Sequence, residues 1–172
     1  MIASNISRKD QMRELFNQGN YFKLVCGAGN EDAEEVRRLS TIYTLAGASG
    51  LDVSASPEIV KACKEGINFA YTISDELGIE LGHIPFIKVS VGMPGDHHVR
   101  KAFIIDSCVA CDLCIPVCPT NAIPDTLVII REKCIGCGLC EVACPPKIDA
   151  IRYEHNGKDI KTLLPQCLEA GA

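Results

Sequence analysis

Eight of the chain's eleven cysteines fall into two copies of one spacing, Cys108-x2-Cys111-x2-Cys114-x3-Cys118-Pro119 and Cys134-x2-Cys137-x2-Cys140-x3-Cys144-Pro145. Three thiolates three residues apart on a tight loop can wrap three irons of one cubane, and the fourth stands a turn further on. The pattern is therefore a ligand set for two 4Fe-4S clusters. Structural zinc uses cysteine pairs with a longer spacer and has no use for the third cysteine at x2, so it is the weaker reading.

The runs resemble those of bacterial two-cluster ferredoxins, in which the fourth cysteine of each run serves the other cluster. That resemblance assigns Cys108, Cys111, Cys114 and Cys144 to one cluster. It assigns Cys134, Cys137, Cys140 and Cys118 to the other, so the exchange staples the two halves together. The halves repeat at an offset of 26 residues: Phe103-Ile104-Ile105 leads into Cys108 and Ile129-Ile130 into Cys134, while Ala122-Ile123 and Ala150-Ile151 follow the Cys-Pro pairs. Each half is expected to fold as strand, cluster loop, short helix and strand. Two extra residues, Pro146 among them, should make the second loop bulge.

The other cysteines, Cys26, Cys63 and Cys167, sit among apolar neighbours, where a free thiol behaves as a small hydrophobe. A secretory h-region is not seen near Met1, and a reducing cytoplasm is the expected setting for so many thiols. No apolar run approaches a membrane span, since the best candidate, Ile84 to Met93, is short and contains Lys88. A formal charge of -5 without a dense basic block argues against nucleic acid as a partner. Residues 100–153 carry six basic and six acidic groups, so the excess negative charge lies elsewhere. A neutral cluster module suits an electron relay built into something larger better than a freely shuttling acidic carrier.

The flanking chain reads as alternating short strands and helices. Met12, Leu15 and Phe16 mark a first helix; Tyr21 to Cys26 is a strand. A helix beginning near Glu31 and Asp32 carries Val36, Leu39, Ile42, Tyr43 and Leu45 to a stop at Gly47. Gly50 to Ser54 is a second strand, followed by Ser56-Pro57-Glu58 as N-cap, N1 and N2 of a helix through Ile59, Val60, Cys63, Ile67, Phe69 and Ala70. Pro85 to Val91 is a third strand, and a turn-rich stretch, Gly92 to His98, follows.

This alternation indicates parallel βαβ pairing. The expected fold class is α/β, with βα units of a partial barrel-like or open parallel sheet over 1–99. An α+β two-4Fe-4S ferredoxin-like module is inserted over 100–155, and a helix over 156–172 returns to the βα units after a hairpin-like turn at 153–159. That last helix carries Leu163, Leu164, Cys167 and Leu168 and closes at Ala170-Gly171-Ala172, much as Leu45-Ala46-Gly47-Ala48 closes an earlier helix before a strand; the junction implies a chain that continues.

Outside the cysteines, the chemistry is thin. Gly27-x-Gly29 could cradle a phosphate but lacks the rest of a dinucleotide fingerprint. Asp52, Ser54, Lys88 and Ser90 are expected at or near strand ends, where barrel enzymes place catalytic groups, yet polar ties inside barrels are commoner. His97 and His98, in a Gly-Pro loop, read as solvated.

Several flanking segments resemble the light-dependent-period protein A (LdpA) family of cyanobacteria: Phe22-Lys23-Leu24-Val25-Cys26-Gly27-Ala28, Tyr43-Thr44-Leu45-Ala46-Gly47-Ala48, Leu51-Asp52-Val53 and Leu164-Pro165-Gln166-Cys167-Leu168. The similarity runs from about Tyr21 to the end, and the family continues beyond it. What the resemblance implies is a 4Fe-4S redox sensor that feeds redox state, and hence light conditions, to a circadian clock complex. A redox partner protein and clock-complex proteins are the implied partners. The residues themselves favour a one-electron relay or sensor over an enzyme. The alternative is the electron-supplying part of a βα-barrel oxidoreductase that binds flavin or another organic substrate at its strand ends.

Overall fold

A computed structural model of the chain describes residues 6–27, 29–91, 99–155 and 160–172. Its first half is a mixed α/β unit. Helix α1 (Arg8–Asn17) is capped by Ser7, whose hydroxyl accepts from the Asp10 amide at 3.1 Å. It docks by its first residue: the Arg8 guanidinium donates to the carbonyls of Ile84 at 2.8 Å and Pro85 at 3.1 Å and lies 3.9 Å from the centroid of the Phe86 ring. Strand β1 (Lys23–Gly27) leads to α2 (Ala33–Leu45), where Asp32 caps by accepting from the Glu35 amide and Gly47, at φ +82°, ends the run. Strand β2 (Gly50–Ser54) leads to α3 (Pro57–Ile73), and β3 (Phe86–Ser90) completes the sheet.

The three strands are parallel in the order β1-β2-β3, with Leu24 opposite Leu51 and Leu51 opposite Ile87. Period-two alternation then divides the sheet. Leu24, Leu51, Val53, Ile87 and Val89 face a core built with Val36, Ile59, Val60, Cys63 and Ile67 from α2 and α3. The other face carries Lys23, Asp52 and Lys88, with Asp52 opposite Val25 on β1 and Lys88 on β3, and here lies a polar network. Asp52, only 8% exposed, takes the Lys23 ammonium at 2.5 Å and the Ser90 hydroxyl at 2.5 Å, while Lys88 sits 4.7 Å from the Tyr21 ring centroid. Asp52 is thus mid-strand and internally tied, not a strand-end group. Ser54 is fully buried at the end of β2.

Some expected contacts differ. Ile42 and Phe69 are exposed, because α2 turns Val36, Ser40, Thr41 and Thr44 inward and α3 turns Ala62, Gly66 and Ala70. Small and hydroxylated residues let the two helices approach closely: Thr41 Oγ1 donates to the Gly66 carbonyl at 3.1 Å. Ser56 occupies the N-cap of α3 without a side-chain capping bond, leaving Pro57 at N1 as the start signal. Helix α5 (Ile160–Ala170) packs on α3 and buries Cys167 in the same core as Cys63, although Leu168 faces outward.

The second half is held by one antiparallel pair, β4 (Arg100–Ile104) and β5 (Ile151–His155), with Ala102 opposite Tyr153. Between them the chain is mostly turns, and the single helix is α4 (Leu139–Ala143). The expected pair of strand–loop–helix–strand halves is therefore only partly realised. Ile129-Ile130 reach the first half through one backbone bond, Ile130 N–H to the Ala122 carbonyl at 2.9 Å, too little for a ladder. In the first half the stretch 113–117, the repeat counterpart of α4, is turn and bend and not helix. The segments 92–98 and 156–159, holding His97, His98 and most of the second expected turn, lie outside the described residues.

Helix packing gives a direct test. A Cβ added at Gly66 would stand 2.2 Å from the Arg37 carbonyl and 2.9 Å from Ser40 Cβ, whereas one at Gly82 meets nothing within 4 Å. Gly66→Ala should destabilise the fold by about 1–3 kcal/mol, outweighing alanine's better helix propensity. Gly82→Ala should stay within about 1 kcal/mol of the parent. Thermal unfolding by circular dichroism checks both.

Candidate metal centre

The two cysteine runs form loops of matching backbone. Gly136 and Gly138 take positive φ (+68° and +87°), and their repeat mates Ala110 and Asp112 do so without the freedom of glycine (+52° and +60°). A left-handed residue at these places reverses the chain after each step, so three successive cysteines can face one point. A second matched pair, Asn121 (φ +50°) and Asp149 (φ +42°), precedes Ala122 and Ala150. The amides of those alanines point at sulfur: Ala122 N–H donates to Cys118 Sγ at 3.2 Å and Ala150 N–H to Cys144 Sγ at 3.4 Å. Ala102 N–H donates to Cys134 Sγ at 3.4 Å and Ala110 N–H to Cys108 Sγ at 3.5 Å.

The eight thiols gather in two sets. Cys134, Cys137 and Cys140 of the second run line one cavity together with Cys118 of the first, walled by Ala102, Ala122, Ile123, Ile129 and Tyr153. Cys108, Cys111 and Cys114 line another with Cys144 of the second run, walled by Ile104, Leu127, Ile148, Ala150 and Ile151. All eleven cysteines are among the described residues, and none is in a disulfide. Among the described residues no three His, Cys, Asp or Glu side chains converge as they would on one bound ion; the sulfurs stand instead around the walls of cavities.

This arrangement fits 4Fe-4S clusters on its own chemistry: four soft thiolate donors, apolar walls and backbone N–H groups aimed at sulfur. Burial pushes the Cys114 and Cys140 thiols above their ordinary pKa, so ligation there must displace protons. Cys111 and Cys137 are exposed and mark where each cavity approaches the surface.

The three remaining thiols behave otherwise. Cys26, Cys63 and Cys167 belong to the core under the parallel sheet. Desolvation, with the neighbouring Cys63 adding to it, pushes Cys26 up to about 12, and desolvation pushes Cys63 up to about 11. Burial thus disfavours a thiolate nucleophile at Cys26 and Cys63.

Lys101 is a buried cation beside the site that cysteine spacing does not reveal. Its side chain is fully buried beside the second run, where Nζ donates to the Cys134 carbonyl at 2.7 Å and the Gly29 carbonyl at 2.8 Å and pairs with Glu31 Oε2 at 3.3 Å. Glu31 N–H also donates to the Glu132 carbonyl at 3.3 Å. The turn after β1 is thereby fastened to the second cysteine loop. Of the expected phosphate cradle, Gly27 and Gly29 are described and Ala28 lies outside the described residues. Both glycines line an open cleft of about 700 Å³ with Asn30, Glu35, Arg100 and Cys137.

Comparisons with known proteins agree with this geometry. The 4Fe-4S binding domain family matches residues 102–123 and 127–148, one match per cysteine run. The chain is 35% identical over 161 residues to "Light dependent period A" of Synechococcus elongatus, an alignment covering 92% of this chain and 43% of that relative. The chain thus spans less than half the length of the curated relative it matches. No solved structure matches. No helix among the described residues is long and apolar enough to cross a membrane.

The raised core thiols carry a pH signature. Both lie above the ordinary value of 9.0, so the folded state holds protons that the unfolded chain releases. Their contribution is complete below about pH 9 and is lost as pH rises through about 11 for Cys63 and 12 for Cys26. Urea unfolding of the Cys26→Ala/Cys63→Ala variant should show a flatter loss of stability above pH 9 than the parent, whatever its stability at neutral pH. Parallel curves for the two proteins would contradict this assignment.

Proposed function

We propose that this chain, an LdpA-like protein of two 4Fe-4S clusters, is a one-electron relay and redox sensor that reports redox state to a protein partner. The observation that carries the reading is the sorting of eight thiols into two cavities, each with three sulfurs from one run and one from the other. We assign Cys108, Cys111, Cys114 and Cys144 to one cluster and Cys134, Cys137, Cys140 and Cys118 to the other. Bound there, the clusters supply one-electron chemistry and need no substrate.

The protein's part is to set potential and access. Amides of Ala102, Ala110, Ala122 and Ala150 partly neutralise sulfur charge and favour the reduced state. Apolar walls exclude water, while exposed Cys111 and Cys137 offer short paths for electrons to a docked protein. Similarity to a protein named for a light-dependent period supports a circadian clock component as the recipient of the signal. The cytoplasm is the compartment that suits eleven cysteines with no disulfide among them. The unit boundaries that suit this reading are βα units over 1–99, a cluster module over 100–155 and a returning helix over 156–172.

One observation favours a second reading. The cleft beside exposed Cys137, at the end of β1, could admit an organic substrate or flavin within reach of the cluster, making the chain the electron-supplying part of an oxidoreductase. A bound flavin, or turnover that depends on the clusters, would favour it.

Protein purified without air should contain about eight irons and eight acid-labile sulfides per chain, from two cubanes of four each. Cys118→Ala should halve the iron and remove the cluster of the second run; Cys144→Ala should remove that of the first. Retention of the second-run cluster in Cys118→Ala and of the first-run cluster in Cys144→Ala, by EPR of the dithionite-reduced protein, would mean that the ligands are not exchanged.

A further inference from the structure

Strand β4 delivers two cations to the second cysteine loop and none to the first. Lys101 Nζ donates to the Cys134 carbonyl and Arg100 Nε to the Gly136 carbonyl at 3.1 Å. At the 26-residue repeat their mates are Leu127 and Thr126, which carry no charge. Leu127 lines the cavity of Cys108 and packs against its apolar wall. The two halves therefore differ in the charge that β4 brings to them.

Lys101 is the stronger of the two cations. Its side chain is excluded from water, and a charge in that setting acts on its surroundings far more than one at the surface. Its partner Glu31 is further from Nζ than the Cys134 carbonyl is and remains partly exposed, so the carboxylate offsets the ammonium incompletely. The ammonium also holds the Gly29 carbonyl, placing the turn after β1 within reach of the same field.

We infer that Lys101 makes the two clusters electrically unequal and directs the first electron to the one framed by Cys118, Cys134, Cys137 and Cys140. This rests on the two-cluster reading. A one-electron protein donor is oxidised by one electron, and the added negative charge settles at the cluster nearest the buried ammonium. The other cluster fills second. Since Lys101 bridges that cluster's loop and the Gly29–Glu31 turn, the same residue is where a change of redox state would be felt by the βα unit.

The test is an EPR-monitored potentiometric titration of the full chain, with dithionite as reductant, on the parent, Lys101→Gln and Glu31→Gln. Iron and sulfide are assayed first. Lys101→Gln should lower the reduced-to-oxidised ratio of one cluster by about tenfold at fixed potential, about 59 mV for one electron. Glu31→Gln should raise that ratio at the same cluster, because it removes the offsetting charge. The affected signal should be the one altered by Cys137→Ser. If Lys101→Gln does not fold, Lys101→Arg should keep the parental ratio while Glu31→Gln raises it. Shifts of the same sign in both charge variants, equal shifts at both clusters, or no shift in fully loaded protein would overturn the inference and leave the cluster reading standing. A parent that binds no iron and sulfide would overturn both.

Discussion

The second half of this chain depends on sulfur placed by crossing. Each cavity takes three thiols from its own loop and one from the other, so neither half can complete its set alone. The core there is small, with Cys114, Cys134 and Cys140 themselves among its buried residues beside Ala102, Ala122, Ile123 and Ile151. Five of its seven buried residues are alanine or cysteine, so it holds little apolar side chain of its own. Cluster binding would then contribute folding energy directly, as metals do in other small domains. The β4–β5 pair joins the opening strand of one half to the closing strand of the other, while the inner segments share one backbone bond, Ile130 N–H to the Ala122 carbonyl.

The parallel sheet meets this segment at a defined place. The Gly29–Glu31 turn, at the end of β1, touches Lys101 and the Glu132 carbonyl, so the module sits at the end of the sheet where α/β proteins put their ligands. One sheet face is occupied by α2 and α3. The opposite face holds Asp52 between Lys23 and Ser90, a buried carboxylate whose bonds are satisfied within the sheet. Those bonds make Asp52 a tie between neighbouring strands. They leave the cysteine loops as the place where the chain's chemistry is concentrated.

Much of this was legible in the sequence because it depends on local rules. Cysteine spacing, Gly47 after α2, Pro57 at the start of α3 and the short apolar strands all act through neighbours in the chain. Ile42 and Phe69 share the apolar periodicity of their helices yet are exposed, because periodicity does not reveal that α2 and α3 meet through Gly66, Thr41 and Ser40. The inner segments of the two halves make no ladder: among the described residues Ile130 N–H to the Ala122 carbonyl is the backbone bond between them, and Ala122 N–H goes to Cys118 Sγ. Lys101 escaped notice since burial of an ammonium depends on carbonyls that fold to it from 72 and 33 residues away. A signal did exist: the repeat aligns Lys101 with Leu127, and such a break in an otherwise apolar position marks a specialised half.

The central claim, an exchange of the fourth ligand between two iron cubes, is tested most directly by anomalous diffraction at the iron edge from crystals grown without air. The account predicts two peaks, one in each sulfur-lined cavity, with Cys118 bound to the cluster of Cys134, Cys137 and Cys140, and Cys144 bound to that of Cys108, Cys111 and Cys114. Isolated single ions, or Cys118 and Cys144 each bound within its own run, would contradict it.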